Sequence, residues 1–336
     1  MKFKKLSSEN IDDFIKVANN SKHKWHFAVD VVELELRLKN YQHFNLIIYK
    51  DDCPVAVFLS RNIKLKRLLV KLNGLLCDYQ GLHIDKNFTK YSNEIINFLY
   101  NDIFDNYFKK VLKIDRIEYI PPPSLIFSNS QIDNFNIHKY GRDINKTNFI
   151  LSVKKDDNYL KSRSYNIRYE IKKGLKNLES YEIISDKKKI DIEKILILDS
   201  LKSKRLNIEK QTKDFFYHRL KSKFYNFFII SMGDSYEVIY ITANHENFKT
   251  LHYTCQSDTG RKKLLSKALM YKIINDLEEN QQFLLGVKND VSGVDFFKSN
   301  FANQEVKFSS IIFPISIKAR FIQSLNKNYY SLKLYL

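Results

Sequence analysis

Cysteine is scarce in this sequence, and its three residues form no recognisable framework. Cys53, Cys77 and Cys255 lie far apart in a chain of 336 residues. This spacing argues against a set of disulfides and against a zinc site, because both usually place their ligands at characteristic intervals. We therefore expect three buried thiols, a reducing compartment and no metal.

Long apolar runs are also missing. No stretch approaches the length needed to cross a bilayer, and the first eight residues, MKFKKLSS, lead into polar residues rather than an apolar signal segment. These features predict a cytoplasmic protein.

Positive charge is abundant but is not gathered in a tail. Lysine and arginine number 56 against 38 acidic residues, which gives a formal net charge of +18. The longest basic runs are short, as at 187–189 and 261–263. The charge favours polyanionic partners, namely nucleic acid, anionic membrane surfaces or phosphate-rich small molecules, and does not choose among them.

The length and composition predict two ordinary globular domains. Hydrophobic residues make up 44% and charged residues 28% of the chain, close to the globular average. At about 150 residues per domain, each half is long enough to bury its own core.

Helical and strand patterns recur in the same order in both halves. The first half predicts helices at 9–19 and 30–38, a hairpin of strands 45–49 and 54–59, a strand at 68–76, a helix through 95–103 and a strand at 116–120. The second half predicts helices at 191–201 and 212–221, a hairpin of strands 227–231 and 236–243, a strand at 249–255, a helix at 264–278 and a strand at 282–287. The repeat distance of about 170–180 residues indicates a degenerate duplication, with a link near 141–159.

The segment 257–263 is predicted to be a loop between a strand and a helix. Its amides would then form the positive end of a helix dipole, where a phosphate binds readily. Gly260 would admit a close approach of the backbone to a pyrophosphate, and Lys262 and Lys263 would add charge. A basic helix start that simply faces solvent explains the same residues.

Two further segments carry the remaining signals. Residues 163–174 form a basic amphipathic pattern that ends at a glycine, which suits either an anionic substrate or a solvated surface. Residues 286–289 end a strand, and the aromatic residues of 296–301 follow on a short helix.

In the order of these pieces the sequence resembles the GNAT superfamily, specifically its two-domain FemAB-like branch. The resemblance covers nearly the whole chain in element order, and in residues about 163–174 and 255–301. It implies an α/β fold of tandem GNAT-like domains, each a mixed, mostly antiparallel sheet flanked by helices. The expected domains are 1–150, on the acceptor side, and 151–336, which binds acyl-CoA.

The resemblance also implies roles for individual residues. Acyl-coenzyme A, as co-substrate, would contact Gln256, Thr259, Gly260, Arg261, Lys262, Lys263, Asn289 and Phe297. The acceptor would contact Tyr79, Gln80, Arg163, Arg168, Tyr253 and Lys288. His252 is the candidate base, although a lone histidine on a strand is often structural, and Asp78 would orient or deprotonate the amine, although it also suits a turn.

The function predicted from this resemblance is N-acylation of a nucleotide-linked amino sugar, such as a dTDP-3-amino-3,6-dideoxyhexose, for surface polysaccharide (lipopolysaccharide or O-antigen) biosynthesis. The acyl group would be short or hydroxylated, for example acetyl or 3-hydroxybutanoyl, and no stable nucleic-acid partner is expected. Two alternatives stay open: a FemAB-type aminoacyltransferase that uses aminoacyl-tRNA, and a noncatalytic protein that binds nucleic acid or a membrane surface.

Overall fold

The computed structural model divides the chain into two compact units. Unit 1 comprises Met1–Asn148 and Lys307–Leu336, and unit 2 comprises Phe149–Val306. The structure describes residues 1–21, 44–67, 70–120, 144–155, 158–206, 210–244, 248–279, 281–287 and 292–321.

Unit 1 contains a sheet with helices packed against it. Its elements are β1 (Lys2–Lys5), a 3-10 turn (Ser8–Asn10), α1 (Ile11–Asn20), β2 (Leu46–Lys50), β3 (Cys53–Arg67), β4 (Val70–Ile84), a second 3-10 turn (Lys86–Tyr91), α2 (Ser92–Phe98), a π-helix (Leu99–Val111) and β5 (Arg116–Ile120). All neighbouring strands pair antiparallel except β4 and β5, which are parallel.

The core of unit 1 lies between this sheet and the α2–π-helix segment. Apolar residues recur along the helical segment at Ile95, Leu99 and Ile103, and all three are fully buried. The β2–β3 hairpin turns at Asp51 and Asp52, which both have positive φ angles of 49° and 62°. Such angles match the right-handed twist of a two-residue hairpin turn, and aspartate tolerates them better than most residues.

Unit 2 repeats the arrangement. Its elements are β6 (Ile144–Lys154, which begins in unit 1), α3 (Tyr165–Leu178), β7 (Glu182–Ile184), a 3-10 turn (Lys187–Lys189), α4 (Ile192–Leu206), α5 (Lys213–Lys221), β8 (Tyr225–Met232), β9 (Ser235–Asn244), β10 (Phe248–Gln256), α6 (Asp258–Lys262), α7 (Leu265–Asn275), β11 (Gln282–Val287) and α8 (Ser292–Phe301). The strand order is β6-β11-β10-β9-β8-β7, and the β10–β11 pair is parallel.

Helices cover both faces of the unit 2 sheet. Ile171 of α3 and Leu269 of α7 pack into one large core cluster with sheet residues. On the other side, α4 packs against β9 and β10, and Phe216 of α5 is fully buried against the ring of Tyr253. A mixed sheet between two helical layers positions the carboxyl ends of β10 and β11.

Several boundaries differ from the sequence expectations. The stretch 141–159, predicted as a link, contains β6, because Leu151 and Val153 are buried and pair with β11. The helix predicted at 163–174 continues to Leu178, and Gly174 lies inside it. The last strand, β12 (Gln304–Pro314), pairs with β5, so most of it belongs to unit 1 rather than to the second domain.

The first-half strands also extend further than predicted. β4 continues to Ile84, so Asp78, Tyr79 and Gln80 are strand residues and not part of a loop beyond its end. The predicted helix 30–38 and the prolines at 121–123 lie outside the described residues.

Candidate functional site

The carboxyl ends of the parallel strands β10 and β11 separate. Their pairs run from Phe248↔Gln282 to Thr250↔Leu284. Beyond these pairs β10 stays hydrogen-bonded to β9, and β11 to β6. Ligands of α/β sheets commonly bind where the carboxyl ends of neighbouring strands part. Unit 2 therefore offers a backbone-lined opening after Thr250.

His252 lies in a β-bulge at this opening. The β9–β10 register shifts between Leu251 and Tyr253, which leaves His252 as the additional residue. A bulge changes the direction of side chains on its strand and is frequent beside active sites. The half-buried imidazole contacts the ring of Tyr225, with 5.3 Å between ring centroids in an edge-on geometry.

A buried polar cluster, formed by Asp199, Lys202, Tyr253 and Cys255, lies between α4 and β10. The Asp199 carboxylate is 2% exposed and accepts hydrogen bonds from the Tyr253 hydroxyl at 2.5 Å and from the Gln211 amide at 2.7 Å. A buried carboxylate is tolerated when such donors satisfy it. We name this group the α4–β10 cluster.

Lys202 is the cation of the α4–β10 cluster. Its Nζ lies 4.1 Å from the centroid of the Tyr253 ring, within cation–π range. Burial lowers the pKa of Lys202, and the neighbouring Cys255 and Asp199 act in the opposite direction. Burial also raises the pKa of Tyr253, so its hydroxyl stays protonated and donates to Asp199.

Cys255 is an uncharged thiol in the same cluster. Its Sγ donates to the Leu198 carbonyl at 3.2 Å, and burial raises its pKa to about 11. Because the thiolate is the nucleophilic form, this environment does not prepare Cys255 for attack. Cys53, by contrast, is exposed, so the expectation of three buried thiols was wrong at that position. The side chain of Cys77 lies outside the described residues.

The segment predicted as a phosphate-binding loop is the short helix α6. Ser257 is its N-cap, and the Ser257 hydroxyl accepts from the Gly260 amide at 2.8 Å. The Ser257 amide donates to the Glu237 carbonyl at 2.8 Å. A Cβ at Gly260 would stand 2.6 Å from that same carbonyl oxygen. Gly260 is therefore required for close packing of α6 on β9.

A cavity of about 240 Å³ opens beside the start of α6. Its walls include the apolar α4 residues Ile197 and Leu201, together with Thr259, Asp234 and Glu237. The Ser257 hydroxyl hydrogen-bonds the Glu237 carboxylate. This side of the helix start therefore carries negative charge in the described structure.

The cations predicted to bind phosphate do not form one cluster of contacts. Arg261 pairs with Asp258 at 3.1 Å, and Arg205 of α4 approaches the same carboxylate at 3.5 Å. Lys262 and Lys263 are exposed. Gln256 is half-buried, and its carbonyl accepts from Arg205 at 3.4 Å.

Arg163 and Arg168 both donate hydrogen bonds to backbone carbonyls. Arg163 donates to the Ala302 carbonyl at 2.5 Å, just after α8, and stacks over the Tyr159 ring at 5.2 Å. Arg168 donates to the Lys161 carbonyl at 2.9 Å. Both arginines therefore fix the start of α3, whatever else they contact when a ligand binds.

The other predicted residues are dispersed or undescribed. Phe297 is half-buried and packs against Phe301, with 5.2 Å between the rings. Lys288 and Asn289 lie outside the described residues, as do the side chains of Asp78, Tyr79 and Gln80. The backbone of Asp78 pairs with Ile120, the last residue of β5, at the end of the parallel pair in unit 1.

The structure thus brings His252, Tyr253 and Gln256 together on β10, and adds Asp199, Lys202 and Arg205 from α4. Sequence reasoning missed the three α4 residues. Their spacing of three residues, among the buried Ile195 and Leu198, places all of them on the side of α4 that faces the sheet. The available signal in the sequence was a set of polar residues repeated every three positions on the apolar side of a predicted helix.

The described residues contain neither a metal-binding cluster nor a membrane-spanning helix. No group of three or more His, Cys, Asp or Glu side chains is arranged to hold a metal ion among them. In the same part of the chain, no helix is long and apolar enough to cross a membrane.

No protein-family model matches the chain, and no curated protein matches it in sequence. Solved structures do match it. FemX aligns with 12% identity over 94% of this chain and 97% of its own, with a TM-score of 0.59. L-PGS from Bacillus licheniformis aligns with 10% identity over 95% and 96% of the two chains, with a TM-score of 0.57.

A third structure matches along nearly its whole length. It is the C-terminal domain of a putative lysylphosphatidylglycerol synthetase from Agrobacterium fabrum, with 10% identity, 94% of each chain covered and a TM-score of 0.55. At these identities the likeness concerns the fold. The prediction of an α/β fold, with mixed, mostly antiparallel strands flanked by helices, is confirmed, and this fold is similar to that of FemX and L-PGS.

Proposed function

We propose that the protein is an N-acyltransferase whose second unit holds an acyl donor at the separated ends of β10 and β11. The observation that carries the proposal is the bulge that places His252 at this opening. Backbone groups along the parting strands offer donors and acceptors to an extended, amide-containing ligand such as the pantetheine arm of coenzyme A. The fold shared with FemX supports the transfer of an acyl or aminoacyl group.

In this proposal His252 serves as general base. The acceptor amine attacks the thioester carbonyl, the C–N bond forms, and the C–S bond breaks. His252 takes the proton that the amine nitrogen loses, and the departing thiolate gains a proton from solvent or from the imidazolium. An imidazole suits this exchange because the ordinary pKa of an imidazole lies close to neutral pH.

The α4–β10 cluster would support His252 without touching the reacting atoms. The Tyr253 hydroxyl already donates a hydrogen bond to the buried Asp199. We therefore assign Tyr253 a positioning role instead of the predicted contact with the acceptor. This hydrogen bond anchors β10 to α4 directly beside the bulge. A fixed bulge keeps the imidazole in one orientation.

For the donor phosphates we propose the exposed Lys262 and Lys263, together with Arg261. Asp258 and Glu237 bear opposite charge at the start of α6. A phosphate would therefore bind towards the lysine side of α6. The acceptor that we favour remains a nucleotide-linked amino sugar, since a second phosphate-bearing substrate suits a chain with a net charge of +18.

Aminoacyl transfer is a second candidate. Two of the similar structures are a putative lysylphosphatidylglycerol synthetase domain and L-PGS, and FemX shares the fold. An aminoacyl ester and an acyl thioester present the same carbonyl to an amine, so the same base serves both reactions. The donor therefore has to be identified by experiment.

The test is an assay of thiol release from acetyl-CoA and 3-hydroxybutanoyl-CoA in the presence of a dTDP-linked 3-amino-3,6-dideoxyhexose. His252→Gln is expected to lower kcat by about 10²–10⁴ and to remove the rise of rate with pH. His218→Gln, on α5, is the matched control and should retain activity. Release of thiol at the wild-type rate by His252→Gln would refute the assigned base, and transfer from aminoacyl-tRNA alone would select the second candidate.

A further inference from the structure

The outward face of α3 combines tyrosine and lysine without acidic residues. Tyr165 and Tyr169 are 72% and 54% exposed, and Lys172, Lys173 and Lys176 are exposed on the same helix. At about 100° per residue these five side chains fall within an arc of roughly 100°. We call them the α3 outer face.

The opposite side of α3 explains why this face must point outward. Ile167, Ile171 and Leu178 are at most 6% exposed and belong to the core of unit 2. Gly174 lies on the same side, where a Cβ would stand 2.5 Å from the Leu264 carbonyl oxygen. The helix is therefore fixed in rotation, and its tyrosines are presented to the surroundings.

Within α3 the outer face carries lysines and no carboxylate, and the exposed Glu179 follows as the C-cap. The single carboxylate within α3, Glu170, pairs with Lys267 of α7 and so lies off the outer face. At the far end, Asn177 donates to the Lys263 carbonyl at 2.8 Å, which places the exposed Lys262 and Lys263 beside the last turn. Five lysines thus accompany the two tyrosines.

We propose that the α3 outer face docks the protein on an anionic lipid surface. A 14-residue helix is about 21 Å long, and its convex side meets a flat layer of headgroups along that whole length. Tyrosine favours the water–lipid interface because its ring is apolar and its hydroxyl polar. The lysines between them are attracted to negative headgroups while their stems cover apolar surface.

A lipid surface explains this face better than a nucleic acid does. Stacking of bases needs open ring faces, and the Lys173 Nζ already lies 5.9 Å from the centroid of the Tyr169 ring. Binding at lipid headgroups does not require an open ring face, so the contact between Lys173 and the Tyr169 ring can stay in place. The inference does not depend on the proposed transferase function.

The test is sedimentation of the full chain with vesicles of phosphatidylcholine containing 30% phosphatidylglycerol, compared with phosphatidylcholine alone. The wild type is expected to bind the anionic vesicles and to be released by salt. The triple variant Lys172→Gln, Lys173→Gln, Lys176→Gln should bind about a hundredfold more weakly, at roughly fivefold per lysine. Tyr165→Ser with Tyr169→Ser should also weaken binding, with an unchanged unfolding temperature.

The control variant removes the same charge from unit 1, through Lys109→Gln, Lys110→Gln and Lys113→Gln, and should bind as the wild type does. If the control triple variant bound anionic vesicles as weakly as the α3 triple variant, net charge alone would explain the binding, and the proposal would be overturned. Equal binding to phosphatidylcholine alone would overturn it as well. Binding of single-stranded RNA that requires Lys172, Lys173 and Lys176, without binding to vesicles, would assign the face to nucleic acid instead.

Discussion

At the scale of single residues, the buried Asp199 and Cys255 beside the proposed site both have hydrogen-bond partners. Asp199 accepts from Tyr253 and Gln211, and Cys255 donates to Leu198. The carboxylate of Asp199 is therefore held by donors that are fixed in the fold. Such a cluster resists rearrangement and supports the bulge at His252.

Cys255 gives unit 2 an alkaline sensitivity. Its pKa is raised to about 11 in the folded protein, above the usual value for a thiol. Between pH 9 and 11 the folded state holds a proton that the unfolded state releases, so this thiol's contribution to stability is complete below pH 9 and falls as pH rises. The loss amounts to about 2–3 kcal/mol.

The prediction is that Cys255→Ala loses less stability than the wild type between pH 8 and pH 11. Urea unfolding under reducing conditions at both pH values measures the difference. Lys202, whose pKa is lowered, has the opposite slope and is present in both proteins, so the difference between them reports the thiol together with its interaction with Lys202. Cys53→Ala is the control, because Cys53 is exposed, and identical slopes for all three proteins would contradict the account.

Sequence reasoning named His252 and Gly260, and the structure adds the neighbours of each that a linear pattern does not contain. His252 was singled out as a lone histidine on a strand, yet its bulge depends on hydrogen bonds with β9 that a linear pattern does not contain. Gly260 was expected to admit a phosphate, whereas its missing Cβ makes room for the Glu237 carbonyl. The glycine itself was visible in the sequence, but Glu237, whose carbonyl explains it, lies some twenty residues away.

At the scale of elements, close packing of helices depends on Gly174. Its missing Cβ lets α3 lie against the Leu264 carbonyl, at the junction of α6 and α7. Leu264 has a positive φ of 60°, which turns the chain between those two helices. Because Leu264 already holds this disfavoured conformation, the junction has little freedom to move.

Gly174→Ala is therefore expected to destabilise the protein by about 1–3 kcal/mol, although alanine is the better helix former. The added methyl group overlaps a backbone oxygen and pushes α3 away from α7. Thermal and urea unfolding measure the loss. Asn166→Ala, at an exposed position of the same helix, should leave stability unchanged or slightly increase it. Equal effects of the two substitutions would show that α3 does not pack as described.

Most elements follow from local pattern. The β2–β3 and β8–β9 hairpins were predictable from apolar runs around short polar turns. The structure adds that the turn residues Asp51, Asp52 and Gly233 have positive φ angles. Strand β6 was missed, because the many polar residues of 141–159 drew attention away from the apolar run at 149–153. It is a strand because β11 pairs with it, which is a tertiary cause.

At the scale of the whole molecule, both units contain a helix, a hairpin, a third strand, a helical segment and a further strand in the same order. The described residues of each unit include a parallel strand pair. In unit 1 that pair reaches Asp78 and Ile120, and in unit 2 it reaches Thr250 and Leu284. The duplicated order was readable from the sequence. The assignment of β12 to unit 1 was not, since it depends on pairing with β5 across about 190 residues.

The central claim is that unit 2 binds an acyl-CoA donor, and thermal unfolding of the full chain with acetyl-CoA tests it most directly. A ligand that binds the folded state alone stabilises it by about 2.7 kcal/mol at a hundred times its Kd. We predict an unfolding temperature that rises with acetyl-CoA concentration, and a smaller rise for Lys262→Gln with Lys263→Gln. An unchanged unfolding temperature with acetyl-CoA and coenzyme A, together with a rise on adding aminoacyl-tRNA, would contradict the claim.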